Sequence, residues 1–277
     1  MERPIYILVA PNGARKTKAD HPHLPITPEE LAQEAVRCAK AGAVLFHLHI
    51  RGDNQEHSLD PQRYQKALKA IQGQVGDQML LQVSTETCDI FTPNDQMATV
   101  RALNPEAVSI GIRELIPDLN HVNEAQAFLH DLHAKGVNVQ YILYSAEDVA
   151  YWASLVQQGV VPHISTYFLL FVLGKKASGQ VAFPSDLDPL LEARQKYLKN
   201  IKHEWTLCAF GPNELDCMLK AVQEGGHVRI GFENNMVLAD GRLANTNAEL
   251  LDQFVSRVKQ VSSRPIALKS DLLSLLR

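Results

Sequence analysis

Phe46-His47-Leu48-His49-Ile50 alternates apolar and imidazole side chains residue by residue. That period of two belongs to a β-strand with Phe46, Leu48 and Ile50 on one face and both histidines on the other. The strand sits in the apolar run Ala43–Ile50, one of eight such runs. The others are Ile5–Ala10, Met79–Ser84, Ala107–Ile110, Asn138–Leu143, Val161–Ser165, Trp205–Ala209 and Val228–Gly231. Amphipathic stretches at 28–41, 60–73, 94–103, 121–134, 146–158, 186–201, 213–224 and 246–262 separate or follow them and read as helices. Thr27, Pro28 and Glu30 form a helix-start signal, and Asp60-Pro61 and Thr92-Pro93 open the next two helices similarly. Strand–helix alternation predicts a parallel sheet. Eight of each predict an α/β fold closed as a single (β/α)8 barrel of the TIM type, spanning residues 1–277. The stretch 166–185 reads as irregular chain folded over one barrel face.

Composition narrows the function classes. Of 277 residues, 45% are hydrophobic and 21% charged, a globular balance that excludes disorder. Lys and Arg number 27 against 31 Asp and Glu, so a net charge of −4 gives no basis for nucleic-acid or anionic-membrane partners. Cys38, Cys88, Cys208 and Cys217 are scattered without a C-x-x-C pair, as reduced buried thiols would be. The longest apolar run, Tyr167–Leu173, is far short of the ~20 residues a bilayer span needs. Ile5–Ala10 is too brief for a signal sequence. A soluble cytoplasmic protein is expected. Phosphate-loop, dinucleotide and nucleophile-elbow signatures are all missing.

Barrels carry their chemistry at the C-terminal ends of the strands. If the apolar face of Phe46–Ile50 meets the helices, His47 and His49 look into the mouth. The last strand repeats the logic: Val228, Ile230 and Phe232 face outward, while Arg229, Gly231 and, if the chain stays extended, Glu233 face inward. Closure sets that strand one place from the histidine strand. His47, His49 and Glu233 then form a two-imidazole, one-carboxylate metal set with open positions. Zinc suits these donors, and manganese, iron or cobalt can use them too. The competing reading is a pair of histidines hydrogen-bonded among barrel polar groups. Asn12, Gln82, Ser84 and Ser109 are further inward polar candidates, equally able to fill a barrel layer or cap a helix. His21, His23, His57, His121, His130 and His133 read as exposed, and Gly174-Lys175-Lys176 as a solvated basic loop.

Several segments, in order, resemble the β-keto acid cleavage enzymes typified by 3-keto-5-aminohexanoate cleavage enzyme. They are Leu24–Glu30, His47-Leu48-His49-Ile50-Arg51 with Ser58–Pro61, Ser84-Thr85, Pro105-Glu106, Phe171–Gly174, Gly225–Asn235 and Asn247–Leu250. The resemblance implies a zinc-dependent barrel that reacts a β-keto acid with acetyl-CoA to give acetoacetate and a new acyl-CoA. It also implies a cytoplasmic homo-oligomer, a tetramer or dimer. By the same resemblance, His47, His49 and Glu233 hold the metal and Arg229 is a catalytic cation beside it. Ser84 and Ser109 match substrate-carboxylate positions, with Asn12 at the end of strand one beside them. Arg51 is expected to pair with Asp53.

Three departures bear on the chemistry, the first being that the fifth strand, Gln140–Tyr144, lacks the glutamate and the later Asp-x-Gly-His of many members. The family's Glu-Asp-Asn becomes Glu233-Asn234-Asn235, which places in the catalytic position an Asn234 that cannot exchange a proton at neutral pH. Arg15 stands where some members carry a glutamate, pointing to a substrate with a second carboxylate or other anionic tail. Three functions compete: the acetyl-CoA reaction on an unusual substrate, a zinc hydrolase or lyase that needs no CoA, and a non-catalytic metal-binding descendant.

Overall fold

The computed structural model describes residues 3–174 and 181–276, so Lys175 and Lys176 lie outside the described residues. Its strands are β1 (Ile7–Val9), β2 (Leu45–Leu48), β3 (Ile50–Arg51), β4 (His57–Ser58), β5 (Leu80–Ser84), β6 (Ala107–Gly111), β7 (Asn138–Leu143), β8 (Tyr167–Leu173), β9 (His203–Ala209) and β10 (His227–Ile230). The helices are α1 (Pro28–Lys40), α2 (Pro61–Val75), α3 (Pro93–Leu103), α4 (Ile112–Leu115) and α5 (Val122–Ala134). There follow α6 (Ala146–Gln157), α7 (Asp188–Tyr197), α8 (Glu214–Gln223), α9 (Asn247–Val258) and α10 (Lys269–Leu276). All strands but β3 and β4 close in the order β1-β2-β5-β6-β7-β8-β9-β10 and back to β1, every pair parallel. This is the (β/α)8 barrel. Thr27 and Glu30 complete a reciprocal capping box on α1, as their spacing predicts.

Two expectations fail here. Val161–Ser165 is loop, not strand, and the sixth barrel strand is β8, inside the stretch read as irregular. Pro162 cannot donate to a ladder, whereas all seven residues of β8 are buried and pair with β9, and Phe168–Phe171 pair with β7 as well. A strand covered on both faces shows no alternation, so its continuous apolar run is the mark of a barrel strand. The histidine strand is also shorter than its apolar run: barrel pairing ends at Leu48, and Ile50–Arg51 turns into a small antiparallel hairpin with His57–Ser58.

The register orders the interior. Following it around the ring with a stagger of one residue per strand groups inward side chains from alternate strands into layers. Leu45, Ala107, Phe168 and His227 make one layer, then Leu8, Gln82, Gln140 and Thr206, then His47, Ser109, Leu170 and Arg229. All twelve are buried. The filling thus turns from apolar to polar toward the C-terminal mouth. At the opposite end Ala267 and Leu272, from α10 and the turn before it, pack on Leu8, Leu45, Leu80 and Phe168 and close the base. No described helix is long and apolar enough to cross a membrane.

Candidate metal centre and cavity

Outward Phe46, Leu48 and Ile50 join the core between strands and helices, which turns His47 and His49 inward as period two requires. Their Nε2 atoms lie 3.2 Å apart. Glu233 reaches them by another route than the expected extended strand. β10 ends at Ile230, and Gly231, at φ +146°, starts a tight turn in which Asn234 and Asn235 N donate to its carbonyl. A Cβ on Gly231 would lie 2.4 Å from Ala10 O, so only glycine lets the turn approach β1. Glu233 N then donates to Ala10 O at 3.1 Å. Its Oε2 comes to rest 3.4 Å from His49 Nε2 and 3.7 Å from His47 Nε2.

Three donors each ~2.1 Å from a shared ion at tetrahedral angles are themselves ~3.4 Å apart. The three separations fit. So does the chemistry, because Glu233 Oε2 is buried with no hydrogen-bond partner among the described residues, as a ligand atom facing a cation would be. His47 is pushed down to about 3, first by burial and then by Arg229, so its imidazole is neutral. Burial opposes charge on Glu233, but Arg229 and the two histidines hold its carboxyl well below the usual range. Arg229 Nη2 donates to Glu233 Oε1 at 3.0 Å and to Cys208 Sγ at 3.2 Å.

The supports differ between ligands. His47 Nδ1 donates to Gln82 Oε1 at 2.9 Å. His49 is held through its backbone: its N–H donates to Asn12 Oδ1 at 3.3 Å and its carbonyl accepts from Asn12 Nδ2 at 2.9 Å. Lys16 Nζ donates to the carbonyls of Phe232 and Glu233. Gly13, at φ +61°, gives Glu233 its room, since a Cβ there would sit 2.6 Å from Glu233 Cγ.

The three donors open into a cavity of about 590 Å³ that Ser84, Arg15, Asn12 and Arg229 also line. Ser84 Oγ accepts from Glu86 N at 3.2 Å. Arg15 stands 3.8 Å from Glu86 and 3.9 Å from Asp89. Asn12 has its amide engaged on His49 and on Pro25 O. Two expected residues are not among those lining the cavity. Ser109 is buried with its Oγ unpaired, and Asn234 donates its amide to Arg229 O at 3.0 Å. A larger cavity of about 850 Å³ at the barrel base, bordered by Val137, Phe168 and Lys269, has no comparable convergence of donors among the described residues.

Other expectations change. Arg51 does not pair with Asp53, which takes Arg63 at 2.7 Å; Arg51 instead donates to the carbonyls of Gly13, Asn12 and Gln55. His21 and His57 are buried, not exposed, because their loops fold onto the barrel rim. His21 Nε2 donates to Ala244 O and His57 Nε2 to Glu86 O.

Sequence reasoning passed over a second group of cavity residues, Glu86, Glu114, Arg113 and Asp148. Glu86 Oε2 lies 3.9 Å from His49 Nε2. Glu114 accepts from Thr87 N at 3.0 Å and is raised to about 7, mainly by burial. Arg113 donates to Asp148 at 2.8 Å. Glu86 lies just past the end of β5 and Glu114 in the short α4 that follows β6, so the strand-end rule already used for Ser84 could have found them.

Comparison with known proteins agrees along the whole chain. The model of the beta-keto acid cleavage enzyme family matches residues 4–273. The 3-keto-5-aminohexanoate cleavage enzyme of Acetoanaerobium sticklandii is 30% identical over 280 residues, 98% of this chain and 97% of that protein. The 3-oxoadipate:acetyl-CoA acetyltransferase of Cupriavidus necator is 26% identical over 282 residues, 100% of this chain and 95% of its own. Among solved structures, ObcA in ternary complex with a C4-CoA adduct and oxalate superposes with a TM-score of 0.73. At 15% identity, covering 92% of this chain and 67% of that one, it shares the fold.

Proposed function

The chain belongs to the beta-keto acid cleavage enzyme family, and from that premise we propose that it reacts a β-keto acid with acetyl-CoA at a divalent metal held by His47, His49 and Glu233. The products are acetoacetate and a new acyl-CoA. Relatives named as acetyl-CoA transferases support the acceptor. The observation that carries the metal reading is the convergence of three buried donor atoms, one of them an unpaired carboxylate oxygen, at the floor of the cavity.

A bound cation supplies polarisation of the keto and carboxylate oxygens. The chain's residues do the rest. Arg229, charged and buried, faces the negative charge that develops on the keto oxygen. A base must take the proton from C2 before C2 attacks the acetyl carbonyl and thiolate leaves. The thiolate then attacks C3, the C2–C3 bond breaks, and the proton returns to C2, so the exchange balances.

Asn234 cannot serve as that base. Among the cavity carboxylates, Asp148 is held by Arg113 and Tyr144 N, Glu114 by Thr87 N and Gln96, and Glu233 by Arg229, while Asp89 stands exposed at the rim, away from the three donors and 3.9 Å from Arg15. Glu86 has a looser partner in Arg15 at 3.8 Å and stands beside His49, so its Oε2 takes and returns the proton. Arg15, at the rim, is the cation offered to an anionic tail on the substrate.

The test is a chromatographic assay for acetoacetate and new CoA thioesters across a panel of β-keto acids, each run with and without acetyl-CoA. Turnover should require acetyl-CoA and vanish in His47→Ala, and Glu86→Gln should lower kcat by ~10²–10⁴. Turnover without acetyl-CoA would instead favour a hydrolase or lyase. Binding without turnover in every arm would favour a non-catalytic descendant.

A further inference from the structure

The two imidazoles of the metal set are held by different means. His49 is fixed through its backbone, and its Nδ1 has no hydrogen-bond partner among the described residues. His47 is fixed through its ring. A neutral imidazole carries one N–H, and only the tautomer protonated on Nδ1 leaves Nε2 as a lone pair facing Glu233 and His49. Gln82 Oε1 accepts from Nδ1 at 2.9 Å, which selects that tautomer. Gln82 could do the opposite if its amide were reversed, because its nitrogen would then donate to Nδ1 and force the proton onto Nε2.

The layer beneath the metal sets the direction. Gln82 shares it with Gln140 and Thr206, drawn from alternate strands β5, β7 and β9. Gln82 Nε2 donates to Gln140 Oε1 at 3.2 Å, which leaves the Gln82 oxygen to His47. Gln140 Nε2 is then a buried donor without a partner among the described residues, and the hydroxyl oxygens of Thr206 in the same layer and of Ser109 opposite Gln140 in register are buried without one too. Donor and acceptors match in kind. A barrel layer of three polar side chains out of four costs hydrophobic stability that Leu or Ile would supply there. Mere filling does not account for two glutamines joined head to tail under a histidine.

We propose that Gln82, oriented by Gln140, is the positioning residue that sets the His47 tautomer and so the affinity of the metal centre. This rests on the metal reading above. Because Asn12 holds His49 independently, loss of Gln82 acts on one ligand and weakens the metal without abolishing it.

The experiment measures zinc affinity of the full chain by competition with a chromogenic chelator, together with the melting temperature of each metal-free variant. Gln82→Leu should weaken zinc ~10–100-fold, the range found when a ligand's outer partner is removed. Gln82→Glu keeps an acceptor at the same place and should hold the affinity within a few-fold of wild type. Gln140→Leu, which frees the Gln82 amide to reverse, should fall between the two. If Gln82→Leu loses thermal stability while zinc affinity stays within twofold, or if Gln82→Glu weakens zinc as much as Gln82→Leu, the positioning role is overturned. Should Gln82→Leu fail to fold, the Gln82→Glu and Gln140→Leu pair still decides, since a layer filler predicts no change in zinc affinity for either. Wild type binding no stoichiometric zinc, or binding it equally well in His47→Ala, would overturn the metal reading instead.

Discussion

Gly13→Ala separates what keeps the barrel folded from what keeps Glu233, the proposed metal ligand, in place. Gly13 sits at φ +61°, where an L-residue pays ~1–2 kcal/mol. For a chain of this size that corresponds to a melting temperature about 2–6 °C lower. The effect on the site is larger in kind. The new Cβ would stand 2.6 Å from Glu233 Cγ, and ordinary contact begins at 3.4 Å, so the glutamate stem must retreat by ~0.8 Å. Functional groups tolerate ~0.5 Å of misplacement. Glu233 cannot relax freely, because Arg229 grips Oε1 and its own N–H is tied to Ala10 O. Zinc affinity should therefore drop by ~10–100-fold, measured by chelator competition, alongside the small loss in melting temperature. A variant that melts as expected yet binds zinc like wild type would refute the claim that Gly13 provides the space in which the ligand is held.

Glu214 offers a pH test. It is buried, accepts from Gly231 N and Asn235 Nδ2, and is raised from 4.5 to about 8, chiefly by burial. A raised folded-state value means that its contribution to stability is whole below about pH 4.5 and lost as pH rises through about 8. Glu214→Gln, which mimics the protonated form, should gain melting temperature relative to wild type between pH 5 and pH 9, and a pH-independent difference would contradict this. Leu272→Ala, which empties the apolar contact of α10 with the barrel base, should cost ~2–4 kcal/mol in denaturant unfolding while zinc affinity stays unchanged.

The parts of this protein that could be read from its sequence are those governed by a short period. Phe46–Ile50 declares its two faces within five residues, and Thr27 with Glu30 declares a helix start within four. β8 is hidden for the converse reason: burial on both faces erases the alternation, so the run Tyr167–Leu173 carries no period to read. Glu233 was found by a parity argument whose premise fails, since the chain turns at Gly231 instead of staying extended. Its inward direction comes from the hydrogen bond to Ala10, a contact between the two ends of the chain that no local pattern encodes. The Arg15–Glu86 pair and the buried His21 and His57 depend on how loops fold over the rim, which is equally non-local.

His47 lies in the second strand of the ring, His49 just past its end, and Glu233 follows the last strand, with β1 between them. A cation bridging these residues would clasp the barrel across the seam where its first strand pairs with its last. During synthesis β10 emerges last, so the clasp cannot close until every other strand is available. Metal loading would then serve as a certificate of completed folding: a truncated or misclosed chain could present two imidazoles, but not the third donor. Mass action adds a further consequence. At a free metal concentration 100 times the dissociation constant, the closed ring would gain ~2.7 kcal/mol over any opened form. The same ion proposed for chemistry would then guard the seam against unzipping.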